Sequence, residues 1–357
     1  MKKKAFEVIR KKMRDLSLDS FLIAKQSNIR YLTGFTGDYG YIAVTSDNIF
    51  FFTSQLYEEQ ARSIENNDIT FVTVKEYFID SFSEINKSIW GKKIGFESEV
   101  ITCSVFSKLN EKMDFADFKP SRGIIEKLRE IKDLSEIQSI SNSQKITDSV
   151  FEYILGIIDD GIEERDLACE IDYQLLKKGG ERLAFETIVA SGPNTSKPHA
   201  ITSKRKLKKG DLVLFDFGTF VDGYASDMTR TIVLGKADKE QKRLYNLVFN
   251  AQLAAIDSIS SGMKSSELFK TVMDIFRKAG YSEKFIHSLG HGVGIEVHES
   301  PRLSANSDDI LKINSVITIE PGIYIPGWGG IRIEDMVIVT ENGCENLTHS
   351  QKTLIEL

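Results

Sequence analysis

Cysteine is scarce in this chain: three in 357 residues, Cys103, Cys169 and Cys344, widely separated. That excludes a disulfide framework and leaves no Cys-x-x-Cys metal or redox site. It suits a reducing compartment, and a cytoplasmic protein is expected. Only six prolines argue against a large proline-rich or disordered share. No apolar run approaches the roughly 18 residues of a membrane-spanning helix. The basic start MKKKAFEVIRKKM lacks the apolar core and cleavage site of a signal peptide. Its Phe6, Ile9 and Met13 instead recur on one face of an expected surface helix. Basic charge is also short, 46 Lys+Arg against 52 Asp+Glu for a net −6, whereas nucleic-acid binding needs a dense basic face. Neither nucleic acid nor membrane is an expected partner.

What is present describes a folded globular protein, 41% hydrophobic and 27% charged, too long for one ordinary domain. DSFLIAK, YGYIAVT, NIFFFTS, FVTVKEY and KKIGFES read as strands, with LYEEQARSI between them as helix. This alternation predicts an α/β domain over residues 1–125, with Gly34 and Gly37 in the turn FTGDYG. It carries no metal or nucleophile constellation. The charge-rich SRGIIEKLREIKDLSEIQSI reads as a connecting helix into a second domain, residues 126–357. That domain contains an internal repeat: Gly161 aligns with Gly262 and Gly179 with Gly280, both 101 residues apart. Each copy reads as helix, glycine turn, helix and a glycine at a helix C-cap, followed by strands. Duplicated α+β halves around one central sheet, with a site on the seam, are expected.

Three of the five histidines fall within HSLGHGVGIEVHE. A histidine cluster alone decides nothing; buried acids do more. Asp216 sits inside the apolar strand LVLFDFG, and a four-residue loop, Phe220 to Gly223, would set it opposite Asp227. In the second half a three-residue loop, Pro326 to Trp328, would set Glu320 opposite Glu334, with Arg332 on the same face as Glu334. One such carboxylate could simply pair with a neighbouring base. Two opposed acidic pairs in Val/Ile/Leu/Phe strands repel and call for a counter-charge. Two divalent cations supply it economically. A histidine nitrogen ligand favours Mn²⁺, Co²⁺, Fe²⁺ or Zn²⁺ over Ca²⁺ or Mg²⁺. The Gly290-x-Gly292-x-Gly294 spacing is not a dinucleotide loop; close approach of backbone and substrate to the metals is its expected purpose.

Asp216, Asp227, His291, Glu320 and Glu334, within DFGTFVDGYASDMTR, GHGVGIEVHESPR, TIEPGIYIPGWGG and IRIEDMV, resemble the five-ligand site of the pita-bread metallopeptidases. The branch with aminopeptidase P and prolidase also has a smaller creatinase-type N-terminal domain, so the resemblance spans the whole chain. It implies an α+β pita-bread catalytic domain preceded by an α/β creatinase-type domain. It implies that Asp216 chelates one ion, that Asp227 and Glu334 bridge both, and that His291 and Glu320 complete the shell of the other ion. Mn²⁺ is the first expectation for both ions. By the same resemblance Glu320 shuttles protons, His298 steadies the oxyanion, and His287 and His199 line the proline side. Arg332 orients carboxylates. Tyr224 is a candidate hydrogen-bond donor and Arg302 a candidate contact for a substrate carboxylate. His349 is left over.

The implied reaction is hydrolysis of the bond between an N-terminal residue and a following proline. The His291–Glu320 interval lacks the longer insertion of some animal-type prolidases. Xaa-Pro aminopeptidase is therefore expected first, with Xaa-Pro dipeptidase as the alternative. Methionine aminopeptidase fits less well because it normally lacks such an N-terminal domain, and a non-enzymatic scaffold would tolerate loss of a ligand. The resemblance also implies a homodimer.

Overall fold

The computed structural model describes residues 2–64 and 68–357. Contacts divide the chain into two units, Met1–Arg129 and Glu130–Leu357. In the first, the alternating apolar segments form β1 (Ser20–Ile23), β2 (Gly40–Thr45), β3 (Ile49–Ser54), β4 (Thr70–Val74), β5 (Lys93–Glu97) and β6 (Asp117–Ser121). They make one sheet in the order β4-β3-β2-β1-β5-β6. All of β1 is buried, because both faces are covered. Phe21 and Ile23 join the helix Lys3–Asp15, which buries Phe6, Ile9 and Met13, while Leu22 faces Phe52, Phe78, Phe82 and Trp90. Strand alternation separates the two cores, and each fully buried phenylalanine contributes about 1.5–3 kcal/mol. The sixth strand was not expected from DFKPS: it contains Pro120, which an edge strand tolerates and a central one does not.

The expected connecting helix is two helices, Glu126–Arg129 and Leu134–Leu155. Asp133 separates them. Its carboxylate accepts the N–H groups of Ser135 and Glu136 while the Glu136 carboxylate accepts its own N–H, a capping box that starts a new helix.

The second unit carries the repeat at the level of single hydrogen bonds. Helices Glu164–Lys177 and Ser265–Lys278 end alike. Gly179 donates to Leu176 O as Gly280 donates to Arg277 O, and the next residue in each copy, Gly180 or Tyr281, donates to Leu175 O or Phe276 O. All four repeat glycines have positive φ, between 81° and 108°, as a left-handed cap or turn requires. The strands of the first half are β7 (Ile188–Ser191), β8 (Leu212–Phe217), the short β9 (Phe220–Val221) and β10 (Tyr224–Ala225), and β11 (Met228–Val233). Those of the second are β12 (Gly290–Gly292), β13 (Glu299–Leu303), β14 (Val316–Ile319), β15 (Gly322–Ile325), β16 (Gly329–Arg332), β17 (Asp335–Thr340) and β18 (Gly343–Asn346).

These do not form one central sheet. A three-stranded sheet β11-β8-β7 and a five-stranded sheet β13-β12-β14-β17-β18 each pack on their own helix pair. Side-chain and backbone bonds stitch the seam: Glu334 N–H donates to Thr229 O at 3.1 Å, and Thr231 Oγ1 donates to Arg332 O at 2.9 Å. The three cysteines are free. Among the described residues no helix is long and apolar enough to cross a membrane.

Candidate metal centre

Asp216 lies within β8, opposite Thr229 of β11 and Ile188 of β7, and not opposite Asp227. The expected four-residue loop is a two-residue turn, Asp222-Gly223, both at positive φ, with Val221 paired to Tyr224. The tighter turn moves the register by two, which keeps each side chain on its face. The hairpin base also needs glycine: a Cβ at Gly218 would stand 2.0 Å from Ser226 O.

In the second half the expected register is present. Ile319 pairs with Asp335 and Gly322 with Arg332, so Glu320 and Glu334 fall across from each other in the gap between two ladders. Pro321, which has no N–H, helps open that gap. Behind it, Arg230 donates to the Glu334 carbonyl and pairs with Asp335 at 2.8 Å, both side chains at most 1% exposed.

His291 sits in β12 between β13 and β14. A Cβ at Gly290 would stand 2.0 Å from Thr318 O, and one at Gly292 2.2 Å from Ser300 O. These two glycines therefore admit the close approach of neighbouring strand backbone, which is half of what the sequence led one to expect of them.

The five side chains converge. One ligand atom each from Asp227, His291 and Glu334 lie within 4.8 Å of one another. His291 Nε2 is 3.6 Å from Asp227 Oδ2 and 3.4 Å from Glu320 Oε1. Its Nδ1 lies 3.2 Å from Gly292 O; a proton there leaves Nε2 as a free lone pair. Asp216 gives one oxygen to Arg332 Nη2, while its other oxygen is buried without a hydrogen-bond partner. Thr229 Oγ1 donates to Glu334 at 2.7 Å and accepts from Arg332 Nε at 2.9 Å.

Burial pushes Asp216 up against the pull of Arg332. Burial, then neighbouring carboxylates, drive Asp227 and Glu320 well above the carboxylate range and Glu334 to about 7. Burial and then His298 lower His291 to about 4, so its imidazole is neutral near pH 7. Four acids that resist ionising together, a neutral imidazole and an orphaned buried carboxylate oxygen fit divalent cations with mixed oxygen and nitrogen ligands.

The centre opens into a cavity of about 850 Å³, also lined by His199, His287, His298, Arg302 and Arg332. His199, His298 and Arg302 are exposed. Arg302 is the strand neighbour of His291 across β12 and β13. The His298 ring lies 4.3 Å from that of His291, centre to centre.

Two residues have hydrogen-bond partners that the sequence did not indicate. His287 lines the cavity, yet Nδ1 faces Ser288 O at 2.7 Å and Nε2 faces the Tyr324 hydroxyl at 3.0 Å. Both nitrogens are engaged within the chain. Tyr224 does not line the cavity; its hydroxyl donates to Glu136 at 2.7 Å.

Sequence reasoning missed Tyr324 and Thr229. Tyr324 OH accepts from Arg332 Nη1 at 2.8 Å, and burial pushes its own pKa up to about 12. Period two was the available signal, since Tyr324 follows Glu320 by four and Thr229 follows Asp227 by two.

Residues 138–341 match metallopeptidase family M24, and residues 6–131 match the creatinase/prolidase N-terminal domain. The chain is 38% identical to the Xaa-Pro dipeptidase of Pyrococcus furiosus, over 99% of this chain and 100% of that protein. It is similar in structure to an Xaa-Pro dipeptidase from Bacillus anthracis, with TM-score 0.96 and 38% identity over 99% of each chain. An X-Pro aminopeptidase from Thermotoga maritima follows with TM-score 0.89 and 31% identity over 99% of each chain. The creatinase-type domain followed by a pita-bread domain is therefore the fold. Divalent metal dependence comes with the family, and the chain belongs to metallopeptidase family M24.

Proposed function

We propose that the protein is an Xaa-Pro dipeptidase. The observation that carries this is full-length similarity at 37–38% identity to two proteins named Xaa-Pro dipeptidases, with every expected ligand type gathered at one centre. The sequence put Xaa-Pro aminopeptidase first. The relatives favour the alternative.

Asp216, Asp227, His291, Glu320 and Glu334 would hold two divalent cations, Mn²⁺ first, with Co²⁺, Fe²⁺ or Zn²⁺ also suited to the ligand set. When bound, such ions lower the pKa of a water and polarise the scissile carbonyl. Glu320 accepts the proton of the attacking water and passes it to the proline nitrogen, which leaves as a secondary amine. His298 donates to the developing oxyanion from the cavity side. Arg332 fixes the orientation of Asp216. His199 borders the proline side, while His287 acts by holding Tyr324.

Arg302, a cation one strand from His291, is the group suited to the free carboxylate of a dipeptide. A charged hydrogen bond of about 1.5–3 kcal/mol corresponds to roughly 10–100-fold in kcat/KM. The expected result is that an Xaa-Pro dipeptide exceeds its matched Xaa-Pro-Yaa tripeptide by about that factor, and that Arg302→Ala erases the difference. A tripeptide preference indifferent to Arg302→Ala would make the chain an aminopeptidase.

A homodimer belongs to the same reading. Light scattering at assay concentration should give twice the chain mass; the mass of one chain with full activity contradicts it.

A further inference from the structure

Lysine is seldom fully buried, yet Lys132 is 2% exposed in the catalytic unit. It lies in the short stretch between the helices Glu126–Arg129 and Leu134–Leu155. Its Nζ stands 3.3 Å from Glu299 Oε2, the two side chains 1% and 5% exposed. Its backbone is held as well, with the N–H donating to Asn314 O at 3.0 Å.

Glu299 directly follows His298. Its second oxygen accepts the N–H of Glu296 at 3.0 Å, and Gly294 N–H donates to Glu296 O at 3.0 Å. A Cβ at Gly294 would stand 2.6 Å from the Glu299 carboxylate. The segment from Gly294 to His298 is thus folded tightly around that carboxylate, which borders the metal cavity and is paired with Lys132. Lys132 itself lines no part of the metal cavity. His298, by contrast, is exposed and borders the cavity. A long imidazole-bearing turn in that position needs an internal anchor to keep one ring orientation.

We propose that Lys132 and Glu299 form a positioning pair for His298, so that the stretch preceding the helix Leu134–Leu155 sets the geometry of the oxyanion contact. This rests on the assignment of His298 to that contact. A buried ion pair costs desolvation and is a poor source of stability; what this pair supplies is a fixed turn. Misplacement of a catalytic group by about 1 Å can cost on the order of 10²-fold in rate.

The experiment is a double-mutant cycle on saturated enzyme with metal content measured. Lys132→Met should lower kcat by about tenfold or more, with KM changed by less than about twofold and metal content unchanged. Placed on His298→Ala, it should lower kcat by less than about twofold further, because the contact it serves is already gone. Lys132→Arg, which keeps the charge, should recover part of the lost kcat. Equal losses in both backgrounds, or none in either, overturn the inference while leaving the oxyanion assignment intact. If His298→Ala alone has wild-type kcat, the assignment fails and the inference with it. Should Lys132→Met not yield folded enzyme, Glu299→Gln, which keeps the shape and the acceptor for Glu296, enters the same cycle with the same expected and overturning results.

Discussion

Glu320→Gln should lower kcat on Xaa-Pro dipeptides by about 10²–10⁴-fold at saturating metal, the range for loss of a positioned general acid–base group. Glutamine keeps a carbonyl oxygen for a cation and nearly the same shape, so the change isolates proton transfer from packing. The setting of Glu320 is specific. Its carboxylate lies 3.4 Å from His291 Nε2 and accepts from Thr318 Oγ1 at 3.3 Å, which leaves it aimed into the centre. Proline nitrogen is a poor leaving group without a proton, so loss of the shuttle should appear in kcat and kcat/KM together, with little change in KM. Elemental analysis of the same sample separates this from metal loss. A Glu320→Gln enzyme with full metal content and near wild-type kcat removes Glu320 from proton transfer.

Legibility in the sequence followed how locally each feature is determined. The opposed Glu320 and Glu334 were readable because Pro326, Gly327 and Trp328 form the loop between paired Ile325 and Gly329, and loop length fixes register. The Asp216 hairpin was misread by two residues, although Asp222-Gly223 is itself a strong two-residue turn signal. The ligands survived the error because a shift of two preserves the face. Asp133 and Glu136 carry the D-x-x-E pattern of a capping box, which the charge pattern around them obscured, and one connecting helix was expected in place of two.

Long-range polar partnerships were less readable. Tyr324 bridges His287 and Arg332; period two could place it on the ligand face, but the sequence does not name the partners of its hydroxyl. Tyr224 shows the reverse, a site candidate by motif that the fold spends on Glu136. The glycines around His291 were seen, but their reason lay in carbonyls of Thr318 and Ser300 on adjacent strands. Substrate length was beyond the motifs altogether, because aminopeptidase and dipeptidase share the ligand set.

The largest effect should come from the metals. Among the described side chains of the centre, four carboxylates face a single hydrogen-bonded cation, Arg332. Desolvation and repulsion keep Asp227, Glu320 and Glu334 from ionising together, and bound divalent ions reverse that balance. Chelation followed by buffer exchange should therefore remove at least about 10³-fold of Xaa-Pro hydrolysis, the scale of metal-assisted water activation. The measurement that tests this most directly is a titration of rigorously chelated protein with Mn²⁺, with bound metal per chain and dipeptide hydrolysis followed together. Activity should be negligible without metal, and recovery should saturate near two ions per chain, in keeping with a pair of sites. Full hydrolysis of an Xaa-Pro dipeptide by protein shown to be metal-free would contradict it.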